Sequence, residues 1–320
     1  MCFKYISNVL IKIIDIESVL EFVCFKLVFV KQLIINYHIL ITKLVRPPFF
    51  ITFESITQNA NNMQNATETA ALLLRDASLS KKPCKPIRNY IGDNDIDTAY
   101  KVQTKNIEHR IKNGAVIKGY KIGLTSEAVQ KQLGVNQPDF GVLLNTMEIT
   151  SNVFSYEALM QPKAEAEIAL TLKKDIIEAP KTIEELIPLI DYAQSAIEIV
   201  GSRIENWNIK ITDTVADNAS ASHYILGNKK LSLSNVDMVN CTMQLTKNNT
   251  LVSEGKGIAC LGNPLNAALW LTQTMIKNNT ILKKGEVLLT GALGPMTNLE
   301  KGDTITATIE GFDAITLTFE

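Results

Sequence analysis

The chain has 320 residues, enough for one large domain or two small ones, and its 46% hydrophobic and 20% charged residues are ordinary for a folded protein with a sizeable core. A formal net charge of −1 implies no general attraction to nucleic acid or anionic lipid, so an acidic ligand has to be captured locally by a lysine, a metal ion or backbone N–H groups. The five cysteines (Cys2, Cys24, Cys84, Cys241, Cys260) form no CxxC pair and read as reduced thiols of a cytosolic protein; with only three histidines (His38, His109, His223), carboxylates are the metal-binding material that remains.

Residues 1–53 are dominated by Ile, Leu, Val, Phe, Lys and Asn and end in RPPFFITF. A secretory signal has one short apolar core and a small-residue cleavage site; here the apolar character runs past residue 40 with no clear site. A spanning helix takes about 20 mostly apolar residues, and the longest uncharged run, QLIINYHILIT at 32–42, has 11. Three readings stay open: a segment outside the working protein, an amphipathic membrane-surface segment, or a structural extension. The first is preferred because MQNATETAALLLRDASLSKKP, from Met63, reads as a cytosolic N-terminus with an amphipathic helix. The expected organisation is a non-native or disordered extension over 1–62, a helical region over 63–115 and a β-rich catalytic domain over 116–320.

A helix is expected from Thr67 to Arg75, broken by KKPCKP (81–86). A second runs from Asp95 to Lys112, with Ile96, Ala99, Tyr100, Val102, Ile107 and Ile111 near one face and Asn113-Gly114 ending it. Beyond residue 115, short apolar runs punctuated by glycine read as strands: VIKGYKIGL, EAEIALTL, SAIEIVGS, HYILG, CTMQLTKN, EVLLTGAL, TITATIEGF and AITLTFE. GVNQPDFGVL (134–143) is a turn followed by an apolar run, while TIEELIPLIDYA (182–193) and PLNAALWLTQTMIKN (264–278) read as helices. The pattern is that of one mixed, β-rich α+β domain with a short helical N-terminal region.

Glu165 and Glu167 stand two apart in an apolar strand and therefore share a face. Neighbouring carboxylates repel, and burial raises the cost of their charge. Glu198 is again a single acid inside an apolar strand, and three carboxylates projecting from strands make an oxygen site for a hard divalent cation, magnesium or manganese. Such an ion turns the repulsion into attraction. Lys121, in GYKIGLT, is either a surface lysine or a group that clamps a carboxylate and moves protons. Asp139 is either an Asx-turn residue or a positioned acid/base. Asp217, Asn218 and Ser220 either satisfy a loop backbone or line a pocket, and Gly291 and Gly294 serve tight turns or a close backbone approach to a ligand. Trp207 reads as packing and His223 as a satisfied structural histidine. No GxSxG elbow, P-loop or GxGxxG is present.

YKIGLTS, QLGVNQPDFG, QPKAEAEIAL, AIEIVGSRIENWNIKITDTVADNASASHYILG, CLGNPLNAALWL and LLTGALGPM, in that order, resemble the 2-keto-4-pentenoate hydratase family of the fumarylacetoacetate hydrolase superfamily, from about Met63 to the C-terminus. The resemblance implies a β-rich fumarylacetoacetate hydrolase-like fold and a homo-oligomeric enzyme of small 2-hydroxy-dienoates; cysteine usage and net charge add the expectation of a cytoplasmic protein with no nucleic-acid partner, and a membrane partner is not favoured. It places the metal ligands at Glu165, Glu167 and Glu198, catalytic groups at Lys121 and Asp139, and substrate contacts at Asp217, Asn218, Ser220, Thr290 and Gly291. The implied reaction is Mg2+- or Mn2+-dependent hydration of 2-hydroxypenta-2,4-dienoate to 4-hydroxy-2-oxopentanoate in meta-cleavage aromatic catabolism. The sister activity, 4-oxalocrotonate (2-oxo-3-hexenedioate) decarboxylation, is the alternative. A C–C hydrolase of the superfamily uses a Glu–His pair, and neither His109 nor His223 lies in a matching motif.

Overall fold

A computed structural model describes residues 53–126, 130–131 and 135–320, with side-chain surroundings from Met63 onward. Residues 1–52, on which most of the extension reading rests, lie outside the described residues. The chain divides into two units, Met1–Asn59 and Ala60–Glu320, and the second carries the strands and the site. No helix among the described residues is long and apolar enough to cross a membrane.

Helix α1 (Phe53–Ser80) is longer than expected in both directions. After α2 (Arg88–Ile91) comes α3 (Ile96–Lys112). Asp95 caps α3 by accepting from the Thr98 N–H at 2.9 Å, and Gly114 leaves it at φ +93°, a conformation that glycine tolerates. Ala70, Ala71, Leu74, Ile87, Ile91, Ala99 and Val102 from these helices are buried together with Ile211, Val215 and Ala216 of α5 (Ile211–Ala216). An ion pair between Arg88 and the fully buried Asp213 reinforces that packing. The helical region thus fixes α5, which leads directly into the 217–220 loop.

A seven-stranded sheet and a five-stranded sheet make up the rest. The first has the order β2 (Asp139–Leu144), β1 (Ile117–Gly123), β9 (Val287–Ala292), β4 (Lys163–Leu172), β5 (Ile190–Val200), β6 (Ala221–Leu226), with β10 (Thr297–Asn298) also paired to β4. The second has the order β3 (Val153–Phe154), β12 (Ile315–Phe319), β11 (Thr304–Ile309), β7 (Thr242–Lys247), β8 (Thr250–Lys256). β11 and β12 alternate cleanly: Ile305, Ala307, Ile309, Leu317 and Phe319 are buried between more exposed threonines. Helix α6 (Pro264–Lys277) begins at Asn263, whose side chain accepts from the Leu265 N–H, and buries Leu265, Ala268, Leu271 and Met275 beside β9.

The expected helix over 182–193 is a correction. Only Ile183–Leu186 is α-helical (α4), a 3-10 turn covers Ile187–Leu189, and β5 already begins at Ile190. Pro188 cannot donate inside a helix, and Ala193 pairs with Leu170 of β4, so ladder pairing takes the residues that helical periodicity claimed.

Candidate metal centre and active-site cleft

The antiparallel β4–β5 register sets Glu165 directly opposite Glu198, and strand alternation sets Glu167 on the same face as Glu165. One carboxylate oxygen from each of the three lies within 4.8 Å of the others. Glu167 and Glu198 are fully buried, while Glu165 faces a cleft of about 640 Å³. The Gly291 N–H donates to Glu167 Oε2 at 2.8 Å. Gly291 reaches that position at φ +109°, and an added Cβ would lie 2.5 Å from Thr125, so this glycine serves a close approach. Glu167 Oε1 and Glu198 Oε1 have no hydrogen-bond partner.

Burial, then the Glu198 charge, raise Glu165 from 4.5 to about 7 against the pull of Lys121 and Lys163. Burial, Glu198 and Glu165 push Glu167 well above the usual carboxylate range, and burial raises Glu198 against the opposing pull of Lys121. Orphaned buried oxygens are costly, and a set of only hard oxygen donors at this spacing fits a hard divalent cation. The residues present therefore match the divalent cation expected from the sequence.

Lys121 is buried, and its ammonium lies 3.3 Å from Glu198 Oε2 and donates to the Ala219 carbonyl at 3.1 Å. Burial alone lowers its pKa, but Glu198, Asp139, Glu165 and Glu167 together outweigh that and hold it above the usual lysine value. It is a fixed cation, not a surface lysine. Asp139 opens β2 opposite Gly123 of β1. A Cβ on Gly123 would fall 2.2 Å from Asp139 Oδ1 and 3.3 Å from Lys121 Nζ, so glycine there lets both groups converge. Burial raises Asp139 from 3.8 to about 6, with Lys121 opposing.

The loop residues divide by what their side chains touch. Ser220 lines the cleft, its hydroxyl 3.0 Å from that of Thr214. Asp217 is instead ion-paired with Arg203 and accepts the Arg203 backbone N–H at 2.9 Å. Asn218 accepts from the Val142 N–H at 2.8 Å and donates to the Val142 carbonyl at 2.9 Å, bridging the edge of β2 to the segment before β6. Both line a separate cleft of about 380 Å³ with Arg110, Arg203 and His223. Thr290 donates to the Ile168 carbonyl, and Gly291 supports Glu167. The structure thus brings Glu165, Glu167, Glu198, Lys121, Asp139 and Ser220 to one place, and gives Asp217, Asn218 and Thr290 structural partners. His223, 2.9 Å from the Ser222 hydroxyl and lowered to about 4 by burial and by Lys81, Arg110 and Arg203, fits its reading as a structural histidine.

Lys163 escaped the sequence reading, and Trp207, read there as packing, also lines the cleft. Lys163 lies on the Glu165 face, and its ammonium sits 4.4 Å from the ring centroid of Trp207. Both line the cleft with Leu124, Ile209, Pro295 and Met296. The two-residue spacing of KAEAE was the signal for Lys163; Trp207 comes from a distant loop and had none.

Residues 127–320 match the family model described as fumarylacetoacetate (FAA) hydrolase C-terminal. The chain is 45% identical over 256 residues to a 2-keto-4-pentenoate hydratase of Paraburkholderia phymatum, covering 80% of this chain and 98% of that one. It is 44% identical over 255 residues to 2-keto-4-pentenoate hydratase 2 of Dechloromonas aromatica, covering 79% and 97%. Among solved structures, 4-oxalocrotonate decarboxylase from Pseudomonas putida G7, complexed with magnesium and adipate, superposes with a TM-score of 0.77 at 28% identity, covering 80% of this chain and 98% of that one. With two-sheet fold, carboxylate trio and sequence in agreement, the chain belongs to the 2-keto-4-pentenoate hydratase family of the fumarylacetoacetate hydrolase superfamily, a family of hydro-lyases.

Proposed function

We propose that this protein hydrates 2-hydroxypenta-2,4-dienoate (2-oxopent-4-enoate) to 4-hydroxy-2-oxopentanoate, a step of meta-cleavage aromatic catabolism, in the cytoplasm and as a homo-oligomer. The observation that carries the reading is the carboxylate trio, mutually within 4.8 Å, two members buried and one facing a cleft that also holds a fixed cation and an acid. Glu165, Glu167 and Glu198 would hold Mg2+ or Mn2+. Once bound, that ion supplies charge compensation and Lewis-acid polarisation of the 2-oxygen.

This chain's residues supply the remainder. Lys121, paired with Glu198, supplies positive charge that stabilises negative charge developing on the substrate oxygen. Asp139, raised to about 6, changes protonation near neutrality and is the group suited to carry protons. The proton leaving the 2-hydroxyl is replaced by one delivered at C5, giving the conjugated 2-oxo-3-enoate. Water oxygen then adds at C4 and a proton enters at C3, so one water is consumed per turnover. The apolar wall of Leu124, Ile209, Pro295 and Met296 suits a hydrocarbon tail.

The decisive assay follows loss of dienol absorbance with and without Mg2+ or Mn2+, beside CO2 release from 2-oxo-3-hexenedioate. Metal-dependent dienol loss without CO2 is expected. The structural likeness to a decarboxylase makes the reverse outcome the second reading. Light scattering on the purified protein tests the oligomer. The proposal also treats residues 1–62 as dispensable, and expression from Met63 is expected to give full specific activity.

A further inference from the structure

Lys163, Glu165 and Glu167 succeed one another on one face of β4. Through β9, whose Leu289 pairs with both Lys121 and Ala169, the backbone of Lys121 lies at the level of Ala169. The two lysines thus enter the cleft from different strands, β1 and β4. Their charges are not equally engaged. Lys121 is committed to Glu198 and the Ala219 carbonyl. Among the described residues no carboxylate lies within 4.0 Å of Lys163, whose ammonium rests on Trp207.

That position is built. The Trp207 indole N–H donates to the Gln161 carbonyl at 2.9 Å. The Gln161 side chain in turn donates to the carbonyls of Ser202 (2.8 Å) and Ile204 (2.7 Å) and accepts from the Asn206 N–H (2.8 Å). Gln161, Asn206 and Trp207 all have left-handed backbones, at φ 47°, 57° and 53°. Strain of this kind persists only where surrounding bonds over-determine it, and here those bonds hold the ring under the ammonium.

We infer that Lys163, seated on Trp207, receives the C1 carboxylate of the substrate, so that the substrate lies with its carboxylate toward Lys163 and its reacting carbons toward Lys121 and Asp139. The inference rests on the 2-oxo acid reading of the site: an uncommitted cation lining the cleft meets the one carboxylate that such a substrate brings. An ammonium over an aromatic face keeps its donors free on the opposite side, which suits it to bind an anion entering from the cleft.

The test uses the full chain loaded with Mn2+, with pyruvate and its uncharged amide, pyruvamide, as non-reacting probes, comparing wild type, Lys163→Met and Lys163→Arg. Lys163→Met is expected to weaken pyruvate binding at least tenfold and raise KM for the dienoate comparably. In that variant kcat stays within threefold and Mn2+ affinity is unchanged. Lys163→Arg recovers most of the pyruvate affinity, and pyruvamide binds all three proteins alike. Pyruvate affinity within twofold of wild type in Lys163→Met overturns the inference. So does an equal loss for pyruvamide, a loss of Mn2+ affinity, or failure of wild type to bind pyruvate. Pyruvate binding that depends on Lys163 in a protein with no hydratase turnover leaves this assignment standing and removes the hydratase reading.

Discussion

Glu165→Gln is expected to stabilise the metal-free protein while abolishing its metal-dependent activity. In the fold without an ion, burial and Glu198 raise the Glu165 carboxyl from 4.5 to about 7. At roughly 1.4 kcal/mol per pH unit, ionising it in place costs about 3 kcal/mol. The sign follows from linkage: below pH 4.5 the group is protonated folded and unfolded, and its cost is nil. As pH rises toward 7 the unfolded chain ionises first, wild-type stability falls, and above about 7 the full cost is present. An isosteric amide carries no charge and escapes that cost. Urea denaturation in the presence of EDTA at pH 8 should therefore show the variant more stable by about 3 kcal/mol, roughly 5 °C in Tm, with little difference at pH 4.5. Added Mn2+ should raise the wild-type Tm at pH 8 by mass action and leave the variant nearly unmoved. A variant less stable than wild type at pH 8, or an advantage independent of pH, refutes the account of strained carboxylates awaiting an ion.

Three other outcomes are expected. Lys121→Met strips the nearest cation from buried Glu198 and Asp139, and should lower kcat/KM by about 100-fold or more and cost about 3–5 kcal/mol of stability, read by steady-state kinetics and urea melts. Gly291→Ala drives a methyl into Thr125 and dislodges the N–H that holds Glu167, so Mn2+ affinity by calorimetry should fall about tenfold or more; wild-type affinity would rule out the support role. Asp217→Ala breaks a buried ion pair with Arg203 and should act mainly on stability, by about 3–5 kcal/mol; a raised KM with unchanged melting would return Asp217 to the substrate site.

Much of the site was readable because its period is local. That Glu165 and Glu167 share a face follows from strand alternation alone, and KAEAE carried the same information for Lys163. Helix α3 was readable for the same reason, with its Asp95 cap and Asn113-Gly114 exit. The 182–193 segment misled because helical spacing in a short apolar run is ambiguous until a partner strand claims it. Asp217 and Asn218 stood in a polar loop that local pattern could not resolve, since their partners, Arg203 and the Val142 backbone, depend on how distant segments meet.

Local rules of alternation, capping and turn chemistry determined which acids share a face and where most elements lie, because those rules act within a few residues. Long-range pairing decided the rest. The β4–β5 register brought Glu198 opposite Glu165, Gly123 opened the space where Asp139 and Lys121 converge, and a strained loop carried Trp207 beneath Lys163. Charges so distant in sequence acquire their energies only when burial removes water from between them.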